Sequence, residues 1–388
     1  MAIANAESQS PYLTEEHEML RAQVRRFVES EVKPHGDAWE KAGFVPREVL
    51  RRMGELGFLG LRFPARYGGS ELDELASCVL AEELGRSTYG GFAVTVLDHT
   101  DMSSVHIANG GSEAMKAKWM PRVIDGSAIV AVAITEPGAG SDVKGIRTTA
   151  RRDGDHYVLN GTKHFITNGV HAELYCVAAK SGGDNPSRSV SMILVEKGTP
   201  GFRVTRTFDK QGWRSNDMAE LVFEDARVPV GNIIGEEGRG FYALMQNFQN
   251  ERLVLGAQAI GEAQAALELT LAYVMERRAF GAPLYEKQAV RMKLAELSAR
   301  VAAARAFVLE TAWRSSRRQD CTREVSMIKA LCGELANEVM YACLQLHGGA
   351  GYMTGSTIER MARDARAHTI AGGATDVMLE EVAKRLGR

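Results

Sequence analysis

The sequence predicts an α+β multi-domain fold in three parts. These are an N-terminal helical domain over 1–127, a middle antiparallel β-barrel domain over 128–236 and a C-terminal four-helix bundle over 237–388. Three observations predict it. Apolar residues recur at helical spacing up to about residue 125. Near 128 the period changes to short runs rich in Val, Ile, Tyr and Phe. From about 237 long helical patterns return.

In the first part, "LRAQVRRFVESEV" places Leu20, Val24, Phe27, Val28 and Val32 on one helical face. Pro34, Pro46, "FPARYGG" and the glycine pair at 90–91 punctuate further helices. In the second part the strands are "AIVAVAITE", "HYVLNGTKHFITN", "ELYCVAAKS", "VSMILVEKG" and "AELVFEDARVP". Turn signals at Asp153-Gly154-Asp155, Asn160-Gly161 and Gly182-Gly183 lie among them. In the third part helices are expected over 238–277, 286–316, 321–347 and 374–386. Helical domains flanking a β domain create interdomain clefts, which ligands favour.

Composition excludes several classes. A net charge of -2 leaves no basic surface for nucleic acid. The longest apolar run, "AIVAVAI" at 128–134, is far short of a membrane span. The leader "MAIANAESQSPY" lacks signal or transit character and reads as a short floppy lead-in. Five cysteines with no CxxC pair indicate reduced thiols and a cytoplasmic location.

Several motifs admit both a structural and a chemical reading. "ITEPGAGSD" follows a strand and exposes backbone N–H groups at Gly138, Gly140 and Ser141. It suits a phosphate or ring carbonyl, and it suits a plain β-turn equally. In "KHFITNG", Phe165 and Thr167 share a strand face and fit either a flat heterocycle or an ordinary core and surface pair. "ERRAFG" ends a helix with Arg277, Phe280 and Gly281, as C-capping alone would require. "LQLHGGAGY" sets Gln345 and His347 before a glycine pair, a common helix-to-helix turn. Phe241, Leu244, Phe248 and Leu255 form an apolar helical stripe that Glu251 interrupts, with Arg252 adjoining. A carboxylate there is either salt-bridged at a domain seam or held in an apolar pocket as a base of raised pKa.

These motifs occur in one order: "ITEPGAGSDVKGIRTTA", "NGTKHFITNG", "GWRSNDMAELVFEDARVP", "ERRAFGAPLYEKQAV" and "LQLHGGAGY". In that order the chain resembles the acyl-CoA dehydrogenase family from about residue 14 to 386. The resemblance implies bound FAD, a homotetramer, and an electron-transferring flavoprotein as acceptor. It implies that Ile134 and Thr135 approach the flavin pyrimidine edge. Gly140 and Ser141 meet the FAD pyrophosphate, Ser141 or the thioester ligand. Phe165 and Thr167 cover the flavin, with Phe165 where the family usually has Trp. Arg277, Phe280 and Gln288 from a neighbouring subunit meet the adenosine diphosphate half. Gln345, His347, Gly348 and Gly349 do likewise, and Asp376 lies near the FAD.

Many relatives carry their catalytic Glu in a C-terminal Tyr-Glu-Gly-Thr. The matching positions here are Ala371, Gly372, Gly373 and Ala374, so that base is absent. A branch that includes long-chain and isovaleryl dehydrogenases places the Glu on a helix before Arg, as Glu251-Arg252-Leu253 does here. The resemblance then implies Glu251 as base and the Gly372 N–H, with a ribityl hydroxyl of FAD, as donors to the thioester oxygen. Arg252, Ala371 and Gly373 line the substrate side, and Ala371 in place of Tyr leaves room for branched or longer acyl groups. An acyl-CoA oxidase, a flavin monooxygenase on the same fold and an inactive acyl-CoA-binding subunit are the alternatives.

Overall fold

Burial follows the apolar periodicity of the first part closely. Leu20, Val24 and Phe27 on helix Glu15–Phe27 are buried, and so are Val28 and Val32 on the π-helical turn that continues it. The computed structural model describes residues 10–182 and 189–387; the lead-in at 1–9 and Gly183 of the expected Gly182-Gly183 turn lie outside the described residues. Gly90 and Gly91 begin a helix rather than end one, and a Cβ at either would strike Trp213 or Ser215. A second π-helical turn, Asp98–Ser103, is wholly buried.

The middle part is a sheet of eight strands: β1 (Val130–Ala133), β2 (Thr149–Asp153), β3 (His156–Thr167), β4 (Leu174–Lys180), β5 (Val190–Glu196), β6 (Phe202–Thr207), β7 (Met218–Pro229) and β8 (Ile233–Ile234). Hydrogen bonds order it β6-β7-β3-β2-β4-β5-β8, with β1 on β4. The neighbours are antiparallel except at β1–β4 and at the single β2–β4 pairing, which are parallel, so the sheet is mixed rather than wholly antiparallel. Its inner face supplies one cluster that includes Ala131, Tyr157, Tyr175, Ile193, Phe202 and Leu221, as a curled, barrel-like sheet requires. The opposite side chains of β4 and β5, among them Cys176, Met192 and Leu194, join a second cluster with Met115, Trp119 and Leu244 of flanking helices. Both faces of these strands are therefore covered, which explains why their sequences are continuously apolar instead of alternating.

Asn160-Gly161 does not end a strand. It lies inside β3 at a register shift, where Gly161 adopts φ 147° and a Cβ would meet Thr148 Oγ1 at 2.5 Å. Gly281 does not cap a helix either. The helix stops at Glu276, and Phe280 (φ 53°) with Gly281 (φ 82°) forms the turn of a small hairpin.

The third part contains the four expected helices as Gly240–Glu276, Gln288–Ser316, Thr322–Tyr352 and Thr375–Ala383, plus a fifth, Thr357–Ala365. Helix Gly240–Glu276 is ~55 Å long at 1.5 Å per residue. Every residue from Leu253 to Ala263 on it is buried, because other helices pack all round it. Helix Glu74–Gly85 crosses it backbone to backbone through two glycines. A Cβ on Gly261 would lie 2.0 Å from the Glu82 carbonyl oxygen, and one on Gly85 would lie 2.3 Å from that of Gln258.

Gly261→Ala therefore destabilises the protein by about 1–3 kcal/mol in chemical denaturation, as overpacking does, although alanine favours an isolated helix by about 1 kcal/mol. A stabilised variant would show that the crossing is loose.

Candidate active site

Glu251 lies on helix Gly240–Glu276, ten residues before that crossing, and is 6% exposed. Leu244 and Leu255 on its stripe are buried, and Phe241 and Phe248 are partly so. Asn247, one turn earlier, donates from Nδ2 to Glu251 Oε1 at 3.1 Å and to the Met102 carbonyl at 3.1 Å. No ion pair reaches Glu251 among the described residues, so the salt-bridged reading fails. Burial pushes its pKa up to about 7, against the opposing effects of the Asn247 hydrogen bond and the Arg252 charge. Arg252 stands over the Phe248 ring at 5.7 Å, and its Nε is buried without a partner.

The C-terminal bend meets the same stripe. Gly372 has φ 64° and Gly373 φ 115°, conformations that favour glycine. A Cβ on Gly372 would lie 2.3 Å from Leu255 Cδ1, one helical turn beyond Glu251. The Gly372 N–H has no acceptor among the described residues, while Ile370 and Ala371 both donate to the Ala367 carbonyl. An unpaired backbone donor beside a buried carboxyl of near-neutral pKa can polarise a carbonyl while a proton leaves the adjacent carbon.

The β domain presents its candidate residues nearby. The His164 N–H donates to the Thr135 carbonyl at 2.8 Å, which sets Ile134 and Thr135 beside the Phe165–Thr167 end of β3. Beneath them the buried Lys163 donates to the Ile134 carbonyl at 2.9 Å and pairs with Glu136 at 2.8 Å. Phe165 is 54% exposed with φ 57°, Ile166 is buried and Thr167 half-buried, so residues 165 and 167 do face away from the β core. Gly140 and Ser141 are exposed, and a Cβ on Gly138 or Gly140 would meet nothing within 4 Å.

A second set gathers elsewhere. His347 stacks on Tyr273 at 4.2 Å and approaches Thr270 Oγ1 at 3.3 Å, which brings the 345–349 turn to the C-terminal end of the long helix. Arg277, Phe280 and Gln288 are exposed at that end, Phe280 at 94%. Gln345, Gly348 and Gly349 are exposed too, and the His347 ring is buried. Arg277 is ~39 Å from Glu251 along the helix. Asp376 is exposed in the first turn of helix Thr375–Ala383, next to the bend, where Ala371 and Gly373 are half-buried.

Comparison with known proteins decides the family. Family models for the N-terminal, middle and C-terminal domains of acyl-CoA dehydrogenase match residues 14–127, 131–226 and 238–387. The chain belongs to the acyl-CoA dehydrogenase family. It is 40% identical over 373 residues to the long-chain specific acyl-CoA dehydrogenase of Mus musculus, covering 96% of this chain and 86% of that one. To the isovaleryl-CoA dehydrogenase of Pongo abelii it is 34% identical over 369 residues, covering 94% and 87%. An acyl-CoA dehydrogenase structure from Geobacillus kaustophilus matches with TM-score 0.93 and 42% identity over 98% of this chain and 100% of that one. A chain from the structure of the electron transferring flavoprotein of Acidaminococcus fermentans matches with TM-score 0.94 and 34% identity, over 97% and 99%.

Enzymes of this family are FAD-dependent oxidoreductases, and the residues present fit that group. An exposed aromatic held at positive φ, open glycines after β1 and an unpaired N–H face a flat polar ligand better than bulk water. Sequence reasoning missed Asp98, Asn168 and Lys329. Asp98 is buried, and its carboxyl is pushed well above the usual range by burial first and by the Glu251 charge second. Asn168 donates to Asp98 Oδ2 at 3.1 Å and so connects the Thr167 end of β3 to the acid beside Glu251. Lys329 interrupts an apolar face with Val325, Ile328 and Cys332, the same signal that singled out Glu251.

A carboxyl band titrating near pH 7 is expected in difference infrared spectra of the wild type, absent from Glu251→Gln. A band titrating only below pH 5 would place the carboxyl in water.

Proposed function

We propose that this chain oxidises acyl-CoA thioesters to trans-2-enoyl-CoA, with Glu251 as the base and medium, long or branched acyl chains as substrates. One observation carries the reading: a buried carboxyl without a cation partner stands one turn from Leu255, against which the bend with the unpaired Gly372 N–H packs. Glu251 in its deprotonated form takes the α-proton, and a pKa near 7 suits a base at neutral pH. The Gly372 N–H holds the thioester oxygen as negative charge develops there, a role typically worth about 3–4 kcal/mol. Arg252 balances the local charge. FAD, when bound, accepts the β-hydride.

Ile134, Thr135, Gly140, Ser141, Phe165 and Thr167 would hold the flavin half of FAD, with Asp376 nearby. Arg277, Phe280, Gln288 and the 345–349 turn are too far from Glu251 to serve the same cofactor, so a second copy of the chain would supply them. That separation supports a homotetramer. The similarity to a chain from an electron transferring flavoprotein structure supports such a flavoprotein as acceptor. Among the described residues no helix is long and apolar enough to cross a membrane, and five free buried thiols suit the cytoplasm. The half-buried Ala371 leaves space beside the bend, and similarity to long-chain and isovaleryl enzymes supports longer and branched acyl groups.

Glu251→Gln should retain FAD and lose turnover by about 10²-fold or more; near-normal turnover would overturn the assignment. In the wild type, kcat/KM should rise with pH through about 7, because the reactive form is the one that has lost its proton, and fall tenfold per unit below it. Isovaleryl-, citronellyl-, octanoyl- and palmitoyl-CoA compared as reductants of the flavin should all react. Exclusive preference for short straight chains would refute the acyl-chain assignment. Oxygen consumption in place of transfer to an electron-transferring flavoprotein would refute the acceptor.

A further inference from the structure

The 365–373 segment is gripped along one row of helix Thr322–Tyr352. Asn337 donates to the Ala365 carbonyl at 2.7 Å. Gly333 lets the His368 carbonyl approach to 2.8 Å from where a Cβ would sit. Lys329 donates from Nζ to the His368 carbonyl and, at 3.1 Å, to the Gly373 carbonyl. Positions 329, 333 and 337 recur every four residues, so they meet the segment as a single ridge.

Lys329 differs from the other two in cost. It is 2% exposed and forms no ion pair among the described residues. A buried ammonium without a carboxylate is expensive, yet the two carbonyls it satisfies flank the glycine pair on either side. Its Cε lies 3.7 Å from the position a Cβ on Gly372 would take. From the other side, Glu262 Oε2 holds His368 Nε2 at 2.9 Å and Leu255 packs against Gly372. Glycine at 372 and 373 gives the bend its positive φ values but supplies no stiffness of its own.

We propose that Lys329 is a positioning residue: by tying the His368 and Gly373 carbonyls together it holds the bend so that the Gly372 N–H faces the thioester oxygen. The inference rests on the reading of that N–H as a catalytic donor. Removing the clamp lets the donor drift, which lowers transition-state stabilisation more than substrate binding.

The test compares Lys329→Met, Lys329→Arg and Glu251→Gln as FAD-loaded full-length protein, with octanoyl-CoA and isovaleryl-CoA. Lys329→Met is expected to lower kcat at least tenfold with KM changed less than threefold. It should also accelerate amide exchange in the 366–376 peptide and not in the β domain. Lys329→Arg keeps a buried cation with donors and is expected to restore exchange protection and part of kcat; it carries the test if the Met variant does not fold. Unchanged kcat, or lost kcat with unchanged exchange at 366–376, would overturn the proposal. The exchange measurement needs no turnover, so it stands apart from the Glu251→Gln result. An active Glu251→Gln enzyme would sink the proposed base while leaving the clamp itself to be judged by exchange.

Discussion

A carboxyl buried in an all-round packed helix is the constraint on which the rest of the site depends. Desolvation alone would expel or neutralise Glu251, so its surroundings must hold it in place without quenching it. Asn247 does this with one hydrogen bond, and itself leans on backbone carbonyls freed by the Asp98–Ser103 π-helical turn. The glycine crossing with helix Glu74–Gly85 brings the N-terminal helices close enough for that turn to reach the long helix. An ion pair would have been simpler, but it would have pulled the pKa down and left a poor base.

Charge on the inner side is shared rather than cancelled. Asp98 and Glu251 disfavour one another's ionisation, and burial acts on both. Asn168 and Ser103 donate to Asp98, and Asn168 also accepts from Asn216. Through Asn168 the acid side of the site is bonded to the strand end that carries Thr167. The Lys163–Glu136 pair fixes the adjoining β1 loop in the same way, by placing a buried cation on the Ile134 carbonyl. Two lysines, 163 and 329, thus do similar work on opposite sides. Each sits on backbone carbonyls, and each has its pKa lowered to about 8, by burial foremost.

Length separates the remaining candidates. One helix carries Glu251 near its middle and delivers the chain to Arg277 at its end, and a rigid rod cannot bring both to one ligand. His347 stacked on Tyr273 fixes the 345–349 turn at the far end as well. This division gives assembly a direct chemical purpose within the proposed function.

By itself, the sequence determined the order of helix, sheet and helix, because periods of 3.6 and 2 persist over many residues and need no partner to be seen. It also marked Glu251, since a carboxylate that interrupts an apolar stripe is conspicuous, and the glycine pair at 372–373, since two glycines at a bend signal positive φ. Only the tertiary structure decided that no cation pairs with Glu251, that Asn160-Gly161 is a bulge and not a turn, and that Asp98, Asn168 and Lys329 belong to the site. Those facts depend on which distant segments meet: residues 98, 168, 251, 329 and 372 lie far apart in the chain. Burial, hydrogen-bond partners and electrostatic neighbours come into being only when the elements pack, and no local pattern encodes them.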